Sequence, residues 1–227
     1  MNDNSSDEHL RRTVKKELRK RMRSVRNTLP ASAIEVRSRR VVENVIALPA
    51  WRSAKAVALF WPIEGRHEID VRPLFEAARA AGVTTFFPWT DAESVPPRLV
   101  LREVSDTSTF AERGHGYEEP RDDARVANRG EIDLVIVPAL AVDGRGHRLG
   151  YGAGYYDRLL PEICPPAKAV VVALSFQLLV EVPTVATDVA CDLIVTDERV
   201  IEAGVGVEID AGDIELKPSE IDRDQDR

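Results

Sequence analysis

The stretch from Glu131 to Arg158 constrains this chain most: an apolar run, Ile132 to Leu140, passes directly into a loop of closely spaced glycines that then turns helical. Ile132, Leu134, Val135, Ile136 and Val137 are aliphatic over the length of a strand, with Asp133 near the start and Pro138 at the end, which predicts a buried strand. Gly144, Gly146, Gly150, Gly152 and Gly154 follow, and glycine at this density lets main-chain N–H groups turn toward a ligand with no Cβ in the way. Amides so arranged at a helix start hold anions. Arg145, His147 and Arg148 add positive charge, and Tyr155, Tyr156, Asp157 and Arg158 open a predicted helix carrying Leu159 and Leu160. From spacing alone two readings stand: a phosphate site with an acidic residue for a cation, and a flexible loop of turn glycines. The loop lacks the Gly-Lys-Ser/Thr ending of a P-loop, and the strict alternation of Gly150, Gly152 and Gly154 is not the dinucleotide fingerprint.

A chain of 227 residues with 44% hydrophobic content suits one substantial α/β domain. No apolar run approaches the roughly 20 residues of a membrane helix, and Met1 to Glu8 has no signal-peptide core, so a cytoplasmic location is expected. Cys164 and Cys191 are too few and too far apart for a metal knuckle and read as reduced packing thiols. The net charge of −7 conceals an asymmetry, because Arg11 to Arg26 holds nine basic residues against one acid, Glu17, leaving the remainder more acidic still.

Leu10, Val14, Leu18, Met22, Val25 and Leu29 recur at helical spacing, predicting an amphipathic helix from about Glu8 to Thr28 that buries them and ends at Pro30. Lys15, Arg19, Arg23 and Arg26 form a stripe beside that face, either a solvated surface or a set of cations pointing into a cleft at its edge. Ser32 with Glu35 reads as a capping box for a second helix lined by Ile34, Val41, Val42, Val45 and Ile46. A strand over Lys55 to Trp61, a loop with Glu64, His67 and Glu68, a helix from Val71 to Ala81 stopped by Gly82, and a strand from Val83 to Phe87 make a βαβ unit. Arg98 to Glu103 reads as an edge strand, Ser105 to Gly130 as an irregular polar segment, and Ala169 to Leu174 and Leu193 to Val195 as further strands. From Val207 onward eight acids face three bases, as in a solvated tail.

The segment Gly146 to Arg158 (GHRLGYGAGYYDR), with the preceding Asp133 to Ala141 (DLVIVPALA), resembles the signature of the 5-formyltetrahydrofolate cyclo-ligase family, whose members are also called methenyltetrahydrofolate synthetases. Other blocks match in order: Lys15, Leu18 and Arg19; Glu68-Ile69-Asp70; Gly116-Tyr117 with Glu119-Pro120; Gln177; and Asp188 to Asp192 before a strand ending in Thr196. The resemblance runs from about Thr13 to Ile201. Two departures are visible: Ala153 stands where the family usually has the middle glycine of a Gly-Gly-Gly run, and Ala186-Thr187 where a histidine or a glutamate-histidine pair often precedes the aspartate at 188.

The resemblance implies Mg²⁺-dependent cyclisation of 5-formyltetrahydrofolate to 5,10-methenyltetrahydrofolate, with ATP as co-substrate and ADP and phosphate as products. It implies that Lys15, Arg19 and Arg148 clamp the phosphates, that Leu149, Gly150, Tyr151, Gly152, Ala153, Gly154, Tyr155 and Tyr156 form the ATP-binding loop, and that Arg148 and Tyr155 serve catalysis. Asp157 and Asp192 are the implied Mg²⁺ ligands, Glu68 the hydrogen-bond partner of the pterin, and Trp61, Tyr117 and Tyr155 its walls. The expected fold is a three-layer α/β sandwich with a mainly parallel central sheet and helices on both faces, the site lying at the carboxyl ends of the strands. The expected organisation is a disordered start over 1–7, one catalytic domain over 8–206 and a flexible tail over 207–227, in a monomer or weak homodimer that uses small molecules and neither nucleic acid nor membrane. Two rival functions remain at this point. One is a sister enzyme with the same ATP machinery and another acyl or amide substrate; the other is a module whose basic helix docks on RNA or an acidic partner.

Overall fold

The computed structural model describes residues 3–114 and 116–205, with side chains from 7 onward, so the predicted acidic tail lies outside the described residues. In chain order the elements are α1 (Asp3–Thr28), α2 (Ala31–Ala47), α3 (Pro49–Ser53), β1 (Ala56–Ala58), α4 (Arg72–Ala80), β2 (Thr84–Asp91), β3 (Arg98–Glu103), β4 (Ala111–Glu112), β5 (Glu118–Glu119), β6 (Leu134–Pro138), β7 (Ala141–Asp143), β8 (Arg148–Leu149), α5 (Tyr155–Ile163), β9 (Lys168–Val172), β10 (Leu178–Leu179), β11 (Leu193–Val195) and β12 (Val200–Glu202).

A seven-stranded sheet has the order β12-β11-β9-β6-β1-β2-β3. Its inner strands are parallel, and only the edge strands β3 and β12 run antiparallel to their neighbours. The chain builds outward from β1 to β3, returns to β6 beside β1, and builds outward the other way. The strand order therefore reverses between β1 and β6, and such a reversal opens a crevice at the carboxyl ends of the strands.

Alternate residues of each strand enter opposite cores. Val57, Leu134, Ile136, Val170 and Val172 pack with Val41, Val45, Leu74 and Phe75 of α2 and α4, whereas Ala56, Ala58, Val135, Val137 and Val171 pack with Leu159 and Leu160 of α5. Helices thus cover both faces, as in the expected three-layer sandwich. The residues of β6 from Leu134 to Val137 are all buried, as expected of a parallel strand enclosed on both sides.

Several local expectations give way. The helix α1 begins at Asp3, ahead of Glu8, so Asp3 to Asp7 are helical and not part of a disordered start; Asp7 and Glu8 pair with Arg11 and Arg12 one turn on, which favours the longer helix. Its inward face is also rotated from the apolar stripe, since Leu10 and Val14 are exposed while Lys15, Met22 and Arg26 are buried. The reason is that α1 lies over the glycine loop and faces a polar cleft, adding only Met22 and Leu18 to a small third cluster with Leu140, Ala141 and Leu149. Ser32 does not cap α2, because the helix starts at Ala31 directly after Pro30, whose φ of −59° already suits the helix, and Ser32 falls inside the first turn. The hairpin β7–β8, the edge strand β12 and the short β4–β5 hairpin inside the polar segment lie in stretches too short or too polar to show a period of two. Among the described residues no helix is long and apolar enough to cross a membrane.

Candidate functional site

The glycine loop sits where β6 leaves the sheet. Gln177, buried under it, donates from Nε2 to the carbonyls of Ala139 and Leu140 (3.2 and 2.9 Å) and accepts the Leu174 amide (2.7 Å), fixing the backbone as it turns away. Asp143, also buried, accepts the amides of Arg145 and His147 with one oxygen and that of Val182 with the other, which pins the β7–β8 turn. At Gly146, with φ of +82°, a Cβ would stand 2.2 Å from the Cys191 carbonyl oxygen, so only glycine allows that close approach. Ala153 is not among the residues with positive φ, so alanine replaces the family's glycine there without strain.

Between α1, the loop, the start of α5 and the segment Val185 to Val189 lies a cleft of about 830 Å³. Lys15, Arg19, Arg148, Gly150 to Tyr156 and Asp157 line it together. Arg19 donates from Nε to the Gly150 carbonyl (2.9 Å), and its guanidinium carbon lies 3.5 Å from where a Cβ on Gly152 would be. Lys15 is buried, with Nζ 2.5 Å from Asp188 Oδ2. Arg148 is buried and already engaged, donating to the Val189 carbonyl and to Asp157 Oδ1 (2.9 Å). It ties the loop to the start of α5 and to the 185–189 segment. Leu149 does not line the cleft; its side chain enters the third apolar cluster and its carbonyl accepts the Leu140 amide (2.7 Å).

A smaller cavity of about 190 Å³ opens on the other side of the loop, lined by Trp61, Glu68, Tyr117 and Tyr155 with Phe87, Phe110 and others. All four predicted substrate-binding residues therefore meet, although they lie up to 94 positions apart in the chain. Trp61 packs edge-on against Phe110, ring centroids 5.1 Å apart, and donates from Nε1 to Glu118 (3.2 Å). Burial raises the Tyr117 phenol, whose oxygen is 3.1 Å from Thr90 Oγ1. Glu68 accepts the Ile63 amide (2.8 Å) and the Tyr151 hydroxyl. Pro138, Tyr151, Ala153, Tyr155 and Tyr156 line both cavities, so one turn of the glycine loop is the wall between them.

One expected pair is not brought together. Asp157 lines the large cleft, but Asp192 does not; it is exposed at the amino end of β11, where Oδ2 accepts the Ala169 amide (2.7 Å). The carboxylate that shares the cleft with Asp157 is Asp188. A signal was available in the sequence, because a residue directly preceding a parallel strand lies at the opposite end from the carboxyl-end crevice. Arg12, though paired with Glu8, also lines the cleft, whereas Lys20 is exposed outside it. Ala186 and Thr187, the second departure from the family pattern, lie exposed in the cleft lining. Both cysteines are free; burial pushes the Cys191 thiol up to about 12 and that of Cys164 to about 11, which leaves them protonated packing groups.

A sequence model of the 5-formyltetrahydrofolate cyclo-ligase family matches residues 11–197. The 5-formyltetrahydrofolate cyclo-ligase of Mycolicibacterium smegmatis is 37% identical over 139 residues, 60% of this chain and 65% of that one, so the match spans just under two thirds of that relative's length. The probable 5-formyltetrahydrofolate cyclo-ligase of Schizosaccharomyces pombe is 29% identical over 200 residues, 82% of this chain and 97% of that one. An NMR structure of Aquifex aeolicus 5,10-methenyltetrahydrofolate synthetase superposes with a TM-score of 0.73 at 32% identity, covering 86% of this chain and 96% of the other. With a match that runs from Arg11 in α1 through β11 and takes in the whole glycine loop, this chain belongs to the 5-formyltetrahydrofolate cyclo-ligase family.

Proposed function

We propose that the protein cyclises 5-formyltetrahydrofolate to 5,10-methenyltetrahydrofolate at the expense of ATP, releasing ADP and phosphate. The observation that carries this reading is the shared wall: an anion-suited cleft and an aromatic-lined cavity meet at Tyr151, Ala153, Tyr155 and Tyr156. A phosphoryl group held on one side is then within reach of a pterin held on the other.

An amide-like formyl oxygen is a poor leaving group. Transfer of the γ-phosphoryl breaks its bond to ADP and forms a bond to the formyl oxygen, leaving an iminium phosphate at N5. The lone pair of N10 attacks the formyl carbon and N10 loses its proton; the carbon–oxygen bond then breaks and phosphate leaves with the electron pair. Such a transfer requires mainly positioning and neutralisation of charge. Lys15 and Arg19 supply positive charge in the cleft, and α5, whose first residues Tyr155 to Asp157 line the same space, begins there with the positive end of its dipole. Arg148, held by Asp157 and Val189, acts through the shape of the loop it braces. Glu68, Trp61 and Tyr117 receive the pterin, Glu68 offering carboxylate oxygens to its ring N–H donors.

Mg²⁺ fits the cleft's chemistry. Two carboxylates, Asp157 and Asp188, line it, which suits an ion that takes one or two carboxylates and fills its shell with phosphate and water. Asp157 and Asp188 are the carboxylates that would hold it, and it would neutralise phosphate charge there. The test is a single mixture of protein, 5-formyltetrahydrofolate, ATP and Mg²⁺, followed through methenyl absorbance. Formation of the methenyl product with one phosphate released per turnover is expected; nucleotide binding without folate turnover would move the reading to another acyl or amide substrate.

A further inference from the structure

One side chain of α1 reaches past the phosphate cleft. Arg26, in the last turn of α1, lines neither cavity and is 4% exposed. Among the described residues its guanidinium makes one side-chain hydrogen bond, from Nη2 to the Tyr151 hydroxyl oxygen (2.7 Å), while its buried Nε has no partner. Tyr151 in turn touches Glu68 Oε1, and the other Glu68 oxygen accepts the Ile63 amide (2.8 Å).

Chemistry sets the direction of this chain of contacts. A guanidinium only donates and an ionised carboxylate only accepts, while a phenol has one proton. The Tyr151 hydroxyl must therefore accept from Arg26 and donate to Glu68. Burial, and then the charge of Glu68, push the Tyr151 phenol up to about 12, so it keeps its proton at neutral pH. Arg26 and Arg66 also lie over the Tyr151 ring, their guanidinium carbons 5.8 and 5.2 Å from its centroid. Two other side chains also tie α1 down, Arg19 to the Gly150 carbonyl of the loop and Lys15 to Asp188 of the 185–189 segment.

We infer that Arg26 and Tyr151 are positioning residues for the folate side of the site: the buried Arg26 orients the Tyr151 hydroxyl, which holds the Glu68 carboxylate aimed at the pterin. This rests on the folate reading of the small cavity. Tyr151 belongs to the loop that faces the nucleotide, so the same contact links the two halves of the site. Removing Arg26 leaves the phenol free to turn, and removing the phenol leaves Glu68 without its side-chain donor and the guanidinium without its acceptor.

The test is calorimetric titration of 5-formyltetrahydrofolate, without nucleotide, into the full chain, Tyr151→Phe, Arg26→Met and the double variant, with ATP titrations and thermal midpoints alongside. Each single variant should bind folate about tenfold or more weakly, the size expected when a charged group loses a hydrogen bond. The double variant should be weaker than Tyr151→Phe by no more than about twofold, because the Arg26 hydrogen bond runs through that hydroxyl and only its place over the ring survives in Tyr151→Phe. Arg26→Lys should recover part of the loss, and ATP affinity should stay within about twofold in the Arg26 single variants, since Arg26 lines neither cavity. Folate losses that add in the double variant, or folate and ATP losses that track the thermal midpoint, would reduce Arg26 to a packing residue and overturn the inference, as would unchanged folate affinity in Tyr151→Phe. A wild-type chain that does not bind 5-formyltetrahydrofolate refutes the folate reading itself, and the inference with it.

Discussion

Replacing Gly146 by alanine should unsettle the protein far more than the same change at Gly150, four residues along in the same loop. At Gly146 the added methyl carbon would fall 2.2 Å from the Cys191 carbonyl oxygen and 2.9 Å from Ala203 Cβ, and the backbone has φ of +82°. Neither neighbour is the end of a flexible side chain, so the backbone itself must move. The left-handed conformation costs an alanine about 1–2 kcal/mol and forced overpacking about 1–3 kcal/mol, less the roughly 0.4–1 kcal/mol alanine saves in the unfolded chain. A net loss of about 1–4 kcal/mol follows, or roughly 2–16 °C in thermal midpoint for a domain of this size. At Gly150 nothing lies within 4 Å of the added carbon and φ is not in the left-handed region, so stability should change by less than about 0.5 kcal/mol. The Gly146 carbonyl also accepts the Cys191 amide (2.9 Å), which seats the segment carrying Asp188. Gly146→Ala should therefore weaken ATP binding in the fraction that remains folded. Urea titration of both variants, with ATP calorimetry at low temperature, measures both effects. Equal midpoints for the two variants would refute the close-approach argument.

Other outcomes follow from the same geometry. Arg19→Ala should weaken ATP binding by about 1.5–3 kcal/mol, whereas the exposed Lys20→Ala should change it little; equal affinities would mean that the stripe is ordinary surface charge. Asp157→Asn and Asp188→Asn should each raise the Mg²⁺ concentration needed for turnover, while Asp192→Asn should leave it unchanged and lower only stability through the Ala169 amide; a metal requirement altered only in Asp192→Asn would reverse the assignment. The Tyr151 phenol, held near 12 in the folded protein against an ordinary value near 10, favours folding fully below pH 10, and that contribution fades as pH rises from 10 toward 12, because the unfolded chain loses its proton first. Wild type should thus lose stability more steeply than Tyr151→Phe across that interval in alkaline denaturation, and parallel curves would exclude it.

Much of the architecture could be read from local pattern because local pattern is what periodicity reports. The buried β6, the helix opening at Tyr155, the stop at Gly82 and the edge position of Arg98 to Glu103 each follow from residues within a few positions of one another. The glycine loop could be recognised for the same reason, since its residues are contiguous. What periodicity misread was the orientation of α1. The Leu10–Val14 stripe is as good a buried face as the Lys15–Arg19 stripe until the partner surface is known, and that partner is a polar cleft over the loop.

The sequence by itself determined the parallel α/β class, the phosphate-suited loop and, through that loop and the blocks around it, the family. The tertiary structure alone decided which distant groups meet: Lys15 with Asp188, Gly146 with Cys191, and Arg26 with Glu68 through Tyr151. It also decided between Asp188 and Asp192. Both precede the same strand, but the chain crosses from the crevice to the amino end of the sheet in the three residues between them, so one carboxylate faces the cleft and the other binds the backbone of β9. The physical reason is that a carboxylate's role depends on the end of the sheet at which its Cα lies, and that position is set by strand order and register, which are properties of pairings between segments far apart in the chain.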